Sequence, residues 1–238
     1  MGKGKILDIF LKSKNNKWYT PDDIKNYLLD DTILDWLEKY GKNKNLNPNY
    51  TKNEFGNFLK KQYIDLNDLI KKKISNYSHD IEIISSQGII NKINNTIKAI
   101  ENRKPIIINP ILCNTENNTY GYSNIIIKSD LLLDIFPFLN KIDYNFYEGC
   151  EFSNNWHYIL LDSTLCTLII DEIDYQILNN SKNYLLLKSK LFILNEALGE
   201  IQKFKPKISI ILAKRYICKN KIEYTNIFDK IGIQYTDS

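Results

Sequence analysis

The run Trp156-His-Tyr-Ile-Leu-Leu-Asp-Ser-Thr-Leu165 constrains the fold of this chain more than any other stretch. Its apolar residues are continuous rather than spaced every three or four positions, which reads as a strand. A period of two sets Asp162 and Thr164 on one face near the far end of that strand. A second apolar run, residues 123–133, precedes it. A third, Ile208–Ala213, follows a long amphipathic stretch. Two strands with polar groups on one face, backed by a helix, can build a metal-dependent nuclease site. The same parts can also be no more than a folded core.

Composition narrows the classes. The chain has 238 residues, 43% hydrophobic and 25% charged, so it is expected to fold as one large domain or as one domain with an arm. A net charge of +4 permits contact with nucleic acid without requiring it. Cys113, Cys150, Cys166 and Cys218 are widely spaced, and His79 and His157 lie far apart. That pattern speaks against a zinc site and for reduced thiols in an intracellular protein. There is no apolar run of membrane-spanning length and no signal peptide, so a soluble intracellular protein without a membrane partner is expected.

Along the chain, the first 86 residues read as a helical region and residues 87–238 as an α/β core. Residues 5–12 are expected to form a short amphipathic helix. Thr20-Pro21-Asp22-Asp23 is a helix start, with a cap, a proline at the first helical position and acids in the first turn. A second helix begins at Asp30-Asp31-Thr32 and ends at Gly41. A third covers residues 53–76, with Phe55, Phe58, Leu59, Tyr63, Leu66, Leu69 and Ile70 on its expected buried side, and a fourth covers residues 87–102. Strands are then expected at residues 105–113, 123–133 and 156–165, the first two joined by a turn at 114–121. An irregular aromatic-rich segment covers 139–155. A long helix at 183–204, ended by Pro206, leads to the strand Ile208–Ala213. The expected sheet is mixed and has four main strands, the first three as an antiparallel meander.

Several strings in this order resemble the PD-(D/E)XK nuclease superfamily, in the RecB and lambda-exonuclease branch found in large DNA viruses. They are Leu34-Asp-Trp-Leu-Glu-Lys-Tyr-Gly41, Tyr120-Gly-Tyr-Ser-Asn-Ile-Ile-Ile-Lys-Ser-Asp130, Tyr158-Ile-Leu-Leu-Asp-Ser-Thr164 and Lys188-Ser-Lys-Leu-Phe-Ile-Leu-Asn-Glu-Ala-Leu-Gly-Glu-Ile-Gln202. The last is the most specific. The resemblance implies a restriction-endonuclease-like core, magnesium-dependent hydrolysis of DNA and, for a viral protein, the host cytoplasm. Carboxylates would hold the metal and a lysine would stabilise developing charge. Residue by residue, the pattern is incomplete. Asp162 matches an acid and is the implied metal ligand. Asn124 stands where the strand-two Asp is expected, Thr164 where the lysine is expected, and Lys190 where the helix Gln is expected. No acid follows Gly56 at family spacing, although Glu54 lies just upstream. After Ser238 the chain stops where similar viral proteins continue, which suits either a shortened copy or a short family member.

Antiparallel pairing sets the start of strand two beside the end of strand three, so Asn124 is expected next to Asp162. Asp130 lies six residues further on, roughly 20 Å along an extended strand, at the opposite rim. Lys190 falls about 60° from Leu187 on a helical wheel, at the edge of the buried stripe, where it can reach inward or snorkel outward. Three functional readings follow. One is a catalytically inactive relative of the nucleases with at most a weak DNA-binding or structural role. Another is an active magnesium nuclease using Asp162, Lys190 and either Glu54 or Asp130. The third is a protein-interaction domain without a nucleic-acid role.

Overall fold

A computed structural model describes residues 17–41, 54–179, 181–218, 221–224 and 228–236. The expected helix at 5–12 lies outside them. Six strands form one mixed sheet: β1 (Ile81–Ile83), β2 (Ile106–Ile108), β5 (Ile125–Lys128), β6 (Tyr158–Thr164), β8 (Ile208–Ala213) and β11 (Gly232–Tyr235), in the order β1-β2-β5-β6-β8-β11. β2, β5 and β6 are the expected antiparallel meander. β8 joins β6 in parallel, with Asp162 opposite Ile211. A hairpin of β3 (Ile111–Asn114) and β4 (Thr119–Tyr122) stands apart, as does a small sheet of β7 (Leu168–Ile169), β9 (Arg215–Cys218) and β10 (Lys221–Tyr224).

Side chains alternate between two cores. Ile106, Ile108, Ile125, Ile127, Ile159 and Leu161 face one; Ile107, Ile126, Tyr158 and Leu160 face the other. A sheet covered on both faces needs apolar residues at every position, which is why these strands read as unbroken runs. On the first face lie α3 (Glu54–Ile74), through Leu66, Ile70 and Ile74, and α5 (Ser129–Ile135). On the second lie α4 (Ile89–Glu101), through Ala99 and Ile100, and α6 (Lys182–Gln202), through Leu191, Leu194, Ala197, Leu198 and Ile201. Ahead of them, the 3-10 turn Pro21–Ile24 runs into two short helices, α1 (Lys25–Leu28) and α2 (Thr32–Trp36). The Thr20 backbone N–H donates to Asp23 Oδ2 at 2.7 Å, closing that start as its residues predict.

Four expectations need correction. The sheet has six strands among the described residues, not four, and β1 arises within the region expected to be helical. β1 and β11 span only three and four residues, too short for a periodic signal. The strand expected at 105–113 is broken at Asn109, whose φ of 56° turns the chain, and at Pro110, which has no N–H for a ladder; the part beyond becomes β3. The strand expected at 123–133 ends at Lys128. There Ser129 N–H donates to the His157 carbonyl at 2.8 Å and Asp130 enters the first turn of α5, where a negative charge suits the helix dipole. On α3, Phe55, Phe58, Leu59 and Leu69 are exposed, while Leu66, Asn67, Ile70 and Ile74 are buried.

Gln202, the last residue of α6, locks that helix to the start of β6. Its Oε1 accepts from Tyr158 N–H at 2.8 Å, and its Nε2 donates to the Tyr158 carbonyl at 3.1 Å. No helix among the described residues is long and apolar enough to cross a membrane.

Candidate functional site

Asp162 is fully buried on the α6 side of β6. A carboxylate in such a place must be hydrogen-bonded or paired. Its Oδ1 accepts from Ser163 N–H at 2.8 Å and from the Asn124 amide. Its Oδ2 accepts from the Lys190 ammonium at 2.5 Å. Each contact has a clear origin in the fold. The β5–β6 register pairs Ile125 with Leu161 and so sets Asn124 opposite Asp162. Lys190 lies one turn before the buried Leu194 on α6, and its side chain turns inward with 26% of its surface exposed.

Asn124 is the hub. Its Nδ2 also reaches Tyr63 Oη at 3.1 Å and Ser163 Oγ at 3.0 Å. Two hydrogens serve three acceptors, so one bond is shared. Ser163 Oγ donates onward to Asn67 Oδ1 at 2.6 Å. Tyr63 and Asn67 are i and i+4 on one face of α3, so this network ties α3, β5, β6 and α6 together. Burial disfavours the Lys190 ammonium, but the charge of Asp162, the Tyr63 hydroxyl, the hydrogen bond to Asp162 and the charge of Asp22 together hold its pKa above the ordinary lysine value.

The remaining candidates lie elsewhere or do other work. Thr164 is buried, and its Oγ1 accepts from Cys166 N–H at 3.1 Å as a turn cap. Glu54 is exposed nine residues before Tyr63, about 13 Å away along a helix axis. Asp130 sits in the first turn of α5, beyond the opposite end of β5. Sequence reasoning missed Asn67 and Ser163 and took Tyr63 only as core. The available signal was Asn67 itself, a polar residue inside the stripe Leu66–Ile70–Ile74.

His157 is a separate buried group. Its Nδ1 faces the Glu148 carbonyl at 2.7 Å, so Nδ1 carries the proton, and its Nε2 accepts from Tyr144 Oη at 2.6 Å. Burial lowers its pKa, against the Glu148 carbonyl bond and the charges of Glu148 and Asp130.

Comparison with known proteins finds no matching family model, no matching curated protein and no matching solved structure. The donor set can therefore be judged only on its own chemistry. Magnesium is held by hard oxygens, normally with one or two carboxylates, in a near-octahedral shell. Here Asp162 is the one acid in the network, its neighbour is an amide turned nitrogen-first toward it, and a lysine ammonium already lies against the remaining oxygen. Among the described residues, no three His, Cys, Asp or Glu side chains converge on a common point. This set does not fit a magnesium ion.

Proposed function

We propose that the chain has the core of a PD-(D/E)XK nuclease of the RecB and lambda-exonuclease type, that it does not cleave DNA, and that it serves as a weak DNA-binding or structural module. The reading rests on the resemblance of the strings described above. It is supported by a mixed sheet in which an antiparallel β2–β5–β6 meander is followed by α6 and the parallel strand β8. The observation that carries the inactive assignment is the state of Asp162. Both of its oxygens are engaged by groups of the chain itself, and the position facing it holds Asn124 instead of a second acid.

Incubation of the purified chain with linear duplex and single-stranded DNA in magnesium or manganese tests this directly. The expected outcome is intact DNA. Cleavage that disappears in Asp162→Ala would overturn the inactive reading in favour of a rearranged site. One observation favours that second reading: Lys190 does reach Asp162, as a migrated charge-stabilising lysine must. Against it, Glu54 and Asp130, the acids it needs, lie outside the network.

A further inference from the structure

The first turns of α3 stand clear of the core. All residues from Glu54 to Lys61 are exposed, about 12 Å of helix, before Leu66 becomes buried. Phe58 is 56% exposed, and Leu59 beside it is exposed as well. From Phe55 to Ile64 the helix carries two bases, Lys60 and Lys61, and no acid.

A second exposed apolar surface lies on the small sheet. Ile169, Ile173, Leu178 and Ile217 line a groove of about 400 Å3. The β7–β9 register sets Ile169 beside Ile217. Ile173 is 83% exposed because its turn holds it outward: Asp171 Oδ1 accepts from Ile173 N–H at 2.7 Å, and Asp171 N–H donates to the Gln176 carbonyl at 2.9 Å. A surface already fixed in shape loses little freedom when it is covered. From Leu168 to Leu178 the chain carries three acids, Asp171, Glu172 and Asp174, and no base. Contiguous exposed apolar surface rimmed by charge marks an interaction site.

We propose that the α3 end of one copy of this chain docks in the groove of a second copy, a head-to-tail self-association. Phe58 and Leu59 meet the isoleucines and Leu178, and Lys60 and Lys61 meet the three acids, so the two surfaces match in both apolarity and charge. Within one chain they lie apart: α3 packs on the first core, while Leu168, Ile170 and Ile177 beside the groove belong to the second. Because two different surfaces make the contact, it propagates from copy to copy instead of closing as a symmetric dimer. One helix end covers less than the roughly 800 Å2 per partner of a standard stable complex, so the association is weak. The proposal stands on these two surfaces and does not depend on the nuclease-fold reading.

Sedimentation of the full chain at rising concentration tests it, with melting temperatures as the check on folding. The weight-average mass of wild type is expected to more than double by about 1 mM chain, and to fall back toward the monomer in high salt, which screens exposed charge. Ile173→Asn breaks the groove, and Phe58→Asn with Lys61→Glu breaks the helix end. These positions are exposed or lie on the exposed turns of α3, so both variants should fold and melt as wild type does. Each variant alone is expected to stay monomeric. Their equimolar mixture keeps one intact helix end and one intact groove, and is expected to form a dimer and nothing larger. The proposal is overturned if wild type stays monomeric throughout, or if either folded variant associates as wild type does. It is equally overturned if the mixture of folded variants stays monomeric, which is the result a symmetric interface would give.

Discussion

Asp162 and Lys190 form one ionic unit with unequal members. Asp162 is fully enclosed and cannot reach water, while the lysine, 26% exposed, can swing its end outward. Removing the lysine therefore strands a buried charge, and removing the acid does not. Lys190→Ala is expected to lower unfolding stability by about 3–5 kcal/mol. Asp162→Asn keeps an acceptor for Ser163 N–H and should lose roughly 1–2 kcal/mol. Urea titrations of both variants check the order, and an equal loss would show that the lysine is as trapped as the acid. At this scale the sequence was partly legible. Strand register alone brought Asn124 to Asp162, and the helical wheel allowed Lys190 to turn inward. Tyr63 and Asn67 were not legible as site residues, because their approach depends on how α3 packs across the sheet, and no local pattern encodes that.

His157 shows how one element is fastened to another. Its ring joins the 137–156 segment to the start of β6 through Tyr144 and the Glu148 carbonyl, and it packs against Phe204 with ring centres 4.5 Å apart and planes tilted by 44°. Burial holds its pKa below the ordinary value of 6.5. Between that value and the lower folded one, the unfolded chain binds a proton that the folded chain refuses. Stability from this group is thus complete above pH 6.5 and is lost as the pH falls through the folded pKa. Melting temperatures of wild type and His157→Gln between pH 7.5 and 5 should converge as the solution is acidified. Parallel curves would remove His157 from the account. Long elements were readable in the sequence: α6 and β8 fall where the apolar stripe and run place them. The failure at β5 was one of competing signals. Ser129-Asp130 is a helix start, but the apolar residues after it match a strand equally well until Leu132, Leu133 and Ile135 are seen to share one core.

For the molecule as a whole, a net charge of +4 with lysines scattered along the chain predicts weak DNA affinity that falls steeply with salt. Titration of labelled duplex and single-stranded DNA at 50 and 200 mM salt checks this, with at least a tenfold loss expected; tight binding insensitive to salt would reveal a specific pocket. The α/β class and the central meander were visible from the change in hydrophobic period. The edge strands β1 and β11 were not, since each takes its form from the strand beside it. The parallel join of β6 to β8 has a consequence for how the chain is made. During synthesis β6 emerges well before its partner, since α6 lies between them. For that interval one side of the strand has unpaired backbone groups and mostly apolar side chains, the conditions under which strands recruit other chains. Asp162, near the far end of β6, is the one charged residue on that strand, and a charge on an apolar strand disfavours premature pairing. The nascent polypeptide would be most prone to aggregate between release of Thr164 and release of Ala213, and a ribosome stalled in that window would present the sheet with its central seam open.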